Sequence, residues 1–577
     1  MDFGIWLLIG AALVFFMHAG FAMIEAGFTR AKNAANIIMK TLTDLCLGTI
    51  SFTLIGFSLM CAEDYLFGVV GVPNLGIFTN FSSINFSWFV INLLFCATAA
   101  TIVSGAMAER TKFSAYCIFS IVMSAVIYPI EAGWVWNANG WLAQMGFIDF
   151  AGSSVIHLVG GISAFIGAFM LGPRLGKYTV DKETGKKIVR AIPGHSLTLG
   201  ALGCFILWFG WYGFNGAAAE NLPQLGAIFL TTTIAAAAGT MVTMLFTWFK
   251  NGKPDVSMSL NGALAGLVAI TAGCSSVDAI GSFVIGAVAG VLVVIAVEFI
   301  DLKLHVDDPV GAVAVHGVNG LWGILAVGLF ARPLSVGADV ISDTVGLFYG
   351  GGFGQLGIQA VGALAIAAWT VVTISVVFFI IKKTHGLRAN VDDEIIGLDV
   401  TAHGLASSYA DFLPVANSDL QMLSSKGKEK PVGTTAVIES EATVPVTVAT
   451  VSSVDNSRMA KVTIITRQSR LETLKEALDQ IGITGITVTN VLGYGIQRGN
   501  QIYRGVPVES HLLPKIQVDI VIRRELLDRL IKTAKRVLYT GNIGDGKIFI
   551  YDVENVIKVR TGEEGQAALW GSVTEDK

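Results

Sequence analysis

Residues 148–161 read IDFAGSSVIHLVGG, and residues 307–320 read DDPVGAVAVHGVNG. Both contain D-x-x-G-x-x-x-x-H, once as Asp149, Gly152 and His157 and again as Asp308, Gly311 and His316. An aspartate accepts hydrogen bonds from the free N–H groups of a first helical turn, so each copy predicts a helix start. Eight residues at about 1.5 Å rise place each histidine about 12 Å down its helix. In a bilayer whose apolar core is about 30 Å thick, that depth is near the midplane. Whether the two histidines meet depends on the direction in which each helix enters.

The rest of the chain supports a membrane setting. Of 577 residues, 53% are hydrophobic and only 14% charged, far from a soluble average. The apolar character is confined to residues 1–380, whereas 459–577 have ordinary soluble composition. A net charge of −4 spread in this way carries no nucleic-acid signal. The six cysteines lie in the apolar part without a CxxC, which reads as buried free thiols. The N-terminus lacks the basic region and cleavage site of a signal peptide and reads as a retained first span.

Apolar runs long enough to cross a bilayer fall near 3–28, 41–62, 86–108, 113–136, 150–172, 195–217, 223–249, 257–274, 278–300, 310–331 and 345–381, eleven in all. Basic residues from Arg30, Lys32 and Lys40 through Arg110, Lys112, Arg174 and Lys177 to Lys382, Lys383 and Arg388 occupy alternate connections, and the others hold only Arg332. By the positive-inside rule the N-terminus is outside and everything after the last span is cytoplasmic. The His157 span then enters from outside and the His316 span from the cytoplasm. Such antiparallel entry predicts histidines at one depth and an inverted five-helix repeat.

Ionisable groups at that depth usually line a path or a site, because a buried charge there costs about 2.5–3.5 kcal/mol. A lone histidine could equally be a hydrogen-bonded packing residue. Two at matched positions, each followed by small residues that allow close helix approach, point to a shared site. Trp134, Trp136 and Phe214 fall near the outer ends of spans four and six. They read either as interfacial aromatics or as a cation site, where an aromatic face attracts a small cation by about 0.5–2 kcal/mol.

Several long motifs extend this reading. FAMIEAGFTRAKN, SGAMAER, DFAGSSVIH, ILWFGWYGFN, DDPVGAVAVHGVNG and GLDVTAHG make residues 1 to about 404 resemble the ammonium transporter (Amt/Mep/Rh) family. The resemblance implies a homotrimer in which each subunit holds its own narrow apolar pore, set in the lipids of the inner (plasma) membrane. It implies that Trp136 forms an outer recruitment site and that Phe95 and Phe214 form a stacked gate beneath it. Asp149 matches a supporting acidic residue, and His157 and His316 match the paired pore histidines. At the position of a serine common in bacterial relatives stands Ala218, a loss of one hydrogen bond of about 0.5–1.5 kcal/mol to the cation.

Residues 405–457, rich in Ser, Thr, Val, Ala and Lys, read as a linker, with one candidate edge strand in VIESEATVPVTVATV. From 458 to 577 the order is strand, helix, strand, strand, helix, strand, a ferredoxin-like α+β domain. Its TGNIGDGK turn, residues 540–547, reads either as a plain glycine turn or as a phosphate cradle.

VTNVLGYGIQRG, IYRG, LLPK, TGNIGDGKIF and VRTGEEG make this part resemble the PII signal proteins. The resemblance implies binding of ATP or ADP, and of 2-oxoglutarate beside Mg-ATP. It assigns that site to Gly495, Gln497, Lys515, Gly544, Asp545, Gly546, Lys547, Lys558 and Arg560, with Gln497 also ligating magnesium. Lys558 stands where an arginine is frequent, and Val508 where many relatives carry a modifiable tyrosine. Tyr503 and Arg504 match the regulatory loop whose tip plugs a transporter. Two functions follow as alternatives: a transporter with its regulator fused in cis, or an ammonium receptor that hardly conducts. An enzyme is disfavoured, since the sequence offers no nucleophile–base or metal-ligand spacing.

Overall fold

The computed structural model describes residues 3–74, 76–180, 185, 187–336, 339–405, 408, 459–467, 470–483, 485–494, 501–503, 506–508, 512–539 and 545–569. The expected linker beyond residue 408, with its candidate strand, and the expected site residues Gly495, Gln497, Arg504 and Gly544 lie outside them.

Up to residue 405 the chain is mainly helical, with short two-stranded ribbons in the connections. Ten helices among the described residues are long and apolar enough to cross a membrane, from Gly4–Gly27 to Gly354–Thr384. A shorter apolar helix, Val256–Thr271, falls where an eighth span was expected. Helix Phe3–Gly27 packs along helix Leu197–Gly216 on a glycine seam. A Cβ on Gly20 would come within 3.0 Å of the Gly203 carbonyl oxygen, and one on Gly213 within 2.8 Å of that of Gly10. As the residue number rises on one helix it falls on the other, so the two run antiparallel. Without side chains at these positions the backbones approach closely, which is how membrane helices gain packing where lipid removes the hydrophobic drive.

The second span begins earlier than its apolar run. Helix Ala34–Ser51 takes in Asn36, Lys40 and Asp44, all buried, and continues through a π-helical turn at Phe52–Gly56. Lys40 is therefore no free loop charge, as the positive-inside reading took it to be: its Nζ donates to the Ser104 carbonyl at 3.1 Å. Arg110, Arg174 and Lys177 are buried too, for the same reason that each has found a partner. Arg174 spans Asp307 with two bonds of 2.9 Å and reaches Glu109 at 2.9 Å, while Arg30 also pairs with Glu109. Burial alone would raise the Asp307 carboxyl, but Arg174 and Arg110 overcome it and hold the group well below the usual carboxylate range. Glu109 is lowered in the same way, with Arg174 and Arg30 opposing its burial. The segment after the last long helix closes over this network. Glu394 accepts from the Leu175 N–H, and Asp399 accepts from the N–H groups of Ala35 and Asn36.

The cysteines are all free, as expected, but only Cys96, Cys204 and Cys274 are buried, and Cys46 is exposed. Cys46 lies on a helix face that the protein itself leaves uncovered.

Beyond residue 459, strands Met459–Thr466, Thr487–Tyr494, Leu512–Arg523 and Lys547–Val553 form one sheet with all pairings antiparallel. In spatial order the last strand edges the first, which neighbours the third, which neighbours the second. Helices Leu471–Asp479 and Leu527–Leu538 supply Leu474, Leu478, Leu530 and Ala534 to a core shared with Val462, Ile464, Ile516, Val518 and Ile520. The strand residues alternate because successive side chains point to opposite faces. A two-stranded ribbon, Gln501–Tyr503 with Val506–Val508, carries Tyr503.

Candidate functional site: a line of rings ending on two histidines

Both copies of the repeated motif build the same local structure. Asp149 accepts from the N–H groups of Gly152, Ser153, Ser154 and Val155 and from the Ser154 hydroxyl, at 2.5–3.3 Å. Asp308 accepts from Gly311 and Val313 at 3.0 and 2.8 Å. Gly152 has φ +109° and Gly311 φ +83°, a region where a Cβ would be strained, which explains the glycine in both copies. The helices do not open as the expected α-helical turns. Ser153–Leu158 and Val313–Val318 are π-helical and turn α-helical only at Val159 and Asn319. Wider turns of this kind recur at functional sites.

The two helices then meet backbone to backbone. A Cβ on Gly161 would lie 2.1 Å from the Gly317 nitrogen, and one on Gly320 would lie 2.9 Å from the Leu158 nitrogen. These contacts run in opposite chain directions, so the helices cross antiparallel as the topology requires. The crossing brings His157 and His316 together, buried, with Nδ1 to Nδ1 at 3.2 Å and ring centroids at 5.1 Å. In such a contact one nitrogen must donate and the other accept, which assigns opposite tautomers to the neutral pair.

Rings continue from the pair in one direction. Phe214 lies 5.4 Å from His157, Phe95 lies 4.6 Å from Phe214, and Trp136 lies 5.6 Å from Phe95. Phe95 and Phe214 meet at 47°, a tilted pair, each set by a different helix. Trp136 is oriented by its indole N–H, which donates to the Asp149 carbonyl at 2.8 Å. The motif that carries His157 thus also aims Trp136. Trp136 lines an open hollow together with Glu63, Asn85, Trp88 and Asn137. Ala218 falls in the turn after helix Leu197–Gly216, partly exposed. Trp134 is instead a packing residue, 6% exposed, wedged against Trp141 and Trp369.

Sequence reasoning passed over Trp211. It stacks on His157 at 5.1 Å and 19°, and its indole N–H donates to the Thr271 hydroxyl at 2.9 Å. A signal was present: Trp211 precedes Phe214 by three residues and so shares its helical face. Beyond His316 the site opens into a second cavity, lined by Phe21, Ile24, Glu25, Asn261, Val310 and Leu264. Glu25 and Asn261 were likewise unmarked, though a carboxylate inside an apolar run is itself a signal.

In the C-terminal unit Lys547 and Gln517 both oppose Ile465, and Lys515 lies two residues before Gln517 on the same face. Lys515 and Lys547 therefore stand at one end of the sheet, two strands and two residues apart, about 12 Å between backbones. Gly546 has φ +120°, and a Cβ there would lie 2.1 Å from the Ile465 carbonyl oxygen. Asp545 is held by the Thr466 hydroxyl, which donates to its carbonyl at 3.0 Å. Lys558 pairs with Glu563 at 3.1 Å in the turn that also holds Arg560.

Residues 5–408 match the model of the Ammonium Transporter Family, and residues 459–563 that of the Nitrogen regulatory protein P-II. The ammonium transporter Amt2 of Archaeoglobus fulgidus is 44% identical over 72% of this chain and 89% of its own length. Ammonium transporter 1 member 3 of Solanum lycopersicum is 37% identical over 69% of this chain and 91% of its own. Among solved structures, one described as a sensor Amt protein matches with a TM-score of 0.64 at 35% identity, covering 70% of this chain and 98% of its own. The Candida albicans Mep2 crystal structure matches with a TM-score of 0.61 at 29% identity, covering 72% and 92%. The molecule is a multi-pass membrane protein of transporter type with a second domain of helices on an antiparallel sheet. The chain belongs to the ammonium transporter family and carries a fused P-II domain.

Proposed function

We propose that ammonium is recruited at Trp136, is deprotonated at the Phe95–Phe214 gate, and passes as ammonia along the histidine pair, with the proton moving separately. The observation that carries this reading is the His157–His316 contact of 3.2 Å at the end of a line of rings. A cation can lose water where aromatic faces replace it, but the apolar stretch beyond is hostile to a bare charge. Neutral ammonia can cross it, and the imidazoles are the polar groups positioned to hand a proton on. Asp149 serves as the cap that aims Trp136, since its carboxylate is taken up by N–H and O–H donors. Ala218 leaves the recruitment site one hydroxyl short.

Val256–Thr271 completes eleven spans, with the N-terminus outside the plasma membrane and the C-terminal domain in the cytoplasm. The antiparallel contacts of the first span with the sixth, and of the fifth with the tenth, support an inverted five-helix repeat. Both parts assemble as trimers. The exposed Phe549, Ile550 and Tyr551 on the edge strand favour such assembly for the regulatory part. That part, residues 458–577 on a linker from 405, is a ferredoxin-like regulator. It binds ATP or ADP, and with magnesium at Gln497 also 2-oxoglutarate. Gly546, Lys547 and Lys515 suit this role, because a close-approach glycine beside two lysines at one sheet end fits phosphates. Gly495, Gly544, Asp545, Lys558 and Arg560 complete the site, and Tyr503 and Arg504 carry the loop that blocks the pore.

Ammonium-evoked current from the purified chain on a solid-supported membrane tests the function. A current that saturates with ammonium supports transport. Ammonium binding without current would turn the reading to a receptor, which Ala218 and the likeness to a sensor Amt protein both favour.

A further inference from the structure

We propose that Glu25 is the proton carrier on the His316 side of the pore, taking the relayed proton and handing it to ammonia so that ammonium leaves. The inference rests on the transport reading above and adds a residue to it.

Glu25 lies one helical turn after Phe21, whose ring is 6.1 Å from His316. Its side chain lines the same cavity as His316 and Asn261. Glu25 is 2% exposed, and its Oε2 has no hydrogen-bond partner among the described residues. Room for the carboxylate comes from Gly105, where a Cβ would lie 3.2 Å from the Glu25 Cγ. The rest of the cavity wall is apolar, so Glu25 is the acidic group that a proton leaving His316 meets there.

A carboxylate at this depth needs either a positive charge nearby or a proton. Lys40 provides the charge from the neighbouring helix. Its ammonium is itself held by the Ser104 carbonyl and lies 5.1 Å above the Tyr116 ring. Asp44, which accepts from the Thr101 hydroxyl at 2.7 Å, competes for the same charge. The charged groups acting on Glu25 are thus Lys40, Asp44 and Asp308, with His316 across the cavity. A buried carboxylate that leaves an oxygen unpartnered and faces His316 across the cavity is the arrangement that suits a group loading and unloading a proton.

The step balances. The proton left at the gate travels through His157 and His316 to the Glu25 carboxylate, forming one O–H bond. Ammonia reaching the cavity takes that proton, the O–H bond breaks, and an N–H bond forms. Ammonium departs, the carboxylate is restored, and one positive charge has crossed.

The test is ammonium-evoked current of the full chain in proteoliposomes from pH 5 to 8, for the wild type, Glu25→Gln and Glu25→Asp. The expected result is a loss of about ten-fold or more in Glu25→Gln, with Glu25→Asp restoring most of the current on a displaced pH profile. Wild-type current in a folded Glu25→Gln protein overturns the proposal. If that variant does not fold, Glu25→Asp decides alone: an unshifted profile also overturns it. A silent wild type sinks the transport reading itself, and this step with it, so the two failures are told apart.

Discussion

His157 and His316 face each other Nδ1 to Nδ1 at 3.2 Å because Gly161 and Gly317 let two antiparallel helices touch along their backbones. The histidine contact and the small residues are therefore one device. Gly161→Ala would place a methyl 2.1 Å from the Gly317 nitrogen, forcing the helices apart. The expected cost is about 1–3 kcal/mol of stability, read as a lower unfolding temperature, together with loss of ammonium current. An unchanged melting curve would contradict the contact.

Removing the relay should act on charge movement. His316→Leu keeps the volume and removes the nitrogen that meets His157. The steady ammonium-evoked current is expected to fall about 100-fold, the order of a lost proton-transfer group. A current within about two-fold of wild type, far short of the loss that removing a proton-transfer group brings, would show that the proton takes another route.

At the other end, Trp136 and Ala218 are the residues proposed to set affinity. Trp136→Leu forfeits a cation–aromatic attraction of about 0.5–2 kcal/mol, which raises the half-saturating ammonium concentration about 2- to 30-fold. Ala218→Ser restores a hydroxyl worth about 0.5–1.5 kcal/mol and should lower it about 2- to 13-fold. Concentration series of the current measure both, and shifts of opposite sign are required.

The buried ion pairs carry a pH signature outside the membrane spans. Asp307 and Glu109 titrate lower in the folded protein than in the unfolded chain. Their stabilisation is therefore present above the unfolded carboxylate value, about 4, and is lost as pH falls toward the folded values. Unfolding temperature should drop steeply below about pH 4. At neutral pH Asp307→Asn should cost about 3–5 kcal/mol, because Arg174 loses its bidentate partner while buried.

In the regulatory part, Lys547→Ala should weaken ATP binding to the full chain by about 1.5–3 kcal/mol, or about 13- to 160-fold, in calorimetric titration. Unchanged binding would leave Gly546 a plain turn. With the nucleotide site intact, Arg504→Ala is expected to relieve block of the current by ADP, and undiminished block would count against a plug.

Much of this molecule was legible from residues alone. Apolar run lengths located the helices, because a bilayer fixes how many residues a span needs. The repeated D-x-x-G-x-x-x-x-H, read with the basic connections, called for antiparallel entry and a facing histidine pair. The capping aspartates followed from local chemistry, and so did the alternating strands at 459–466 and 512–523. What the sequence could not supply depended on contacts between distant segments. That Lys40 is buried rather than a loop charge is decided by the Ser104 carbonyl on another helix. That Trp134 packs while Trp136 lines the open hollow beside Phe95 is decided by which carbonyl each indole finds, Val69 or Asp149. That Glu25 shares a cavity with His316 rests on helices more than two hundred residues apart in the chain. Local pattern reports hydrogen bonding and burial within one element, whereas the partner of a buried charge is chosen only when the helices pack.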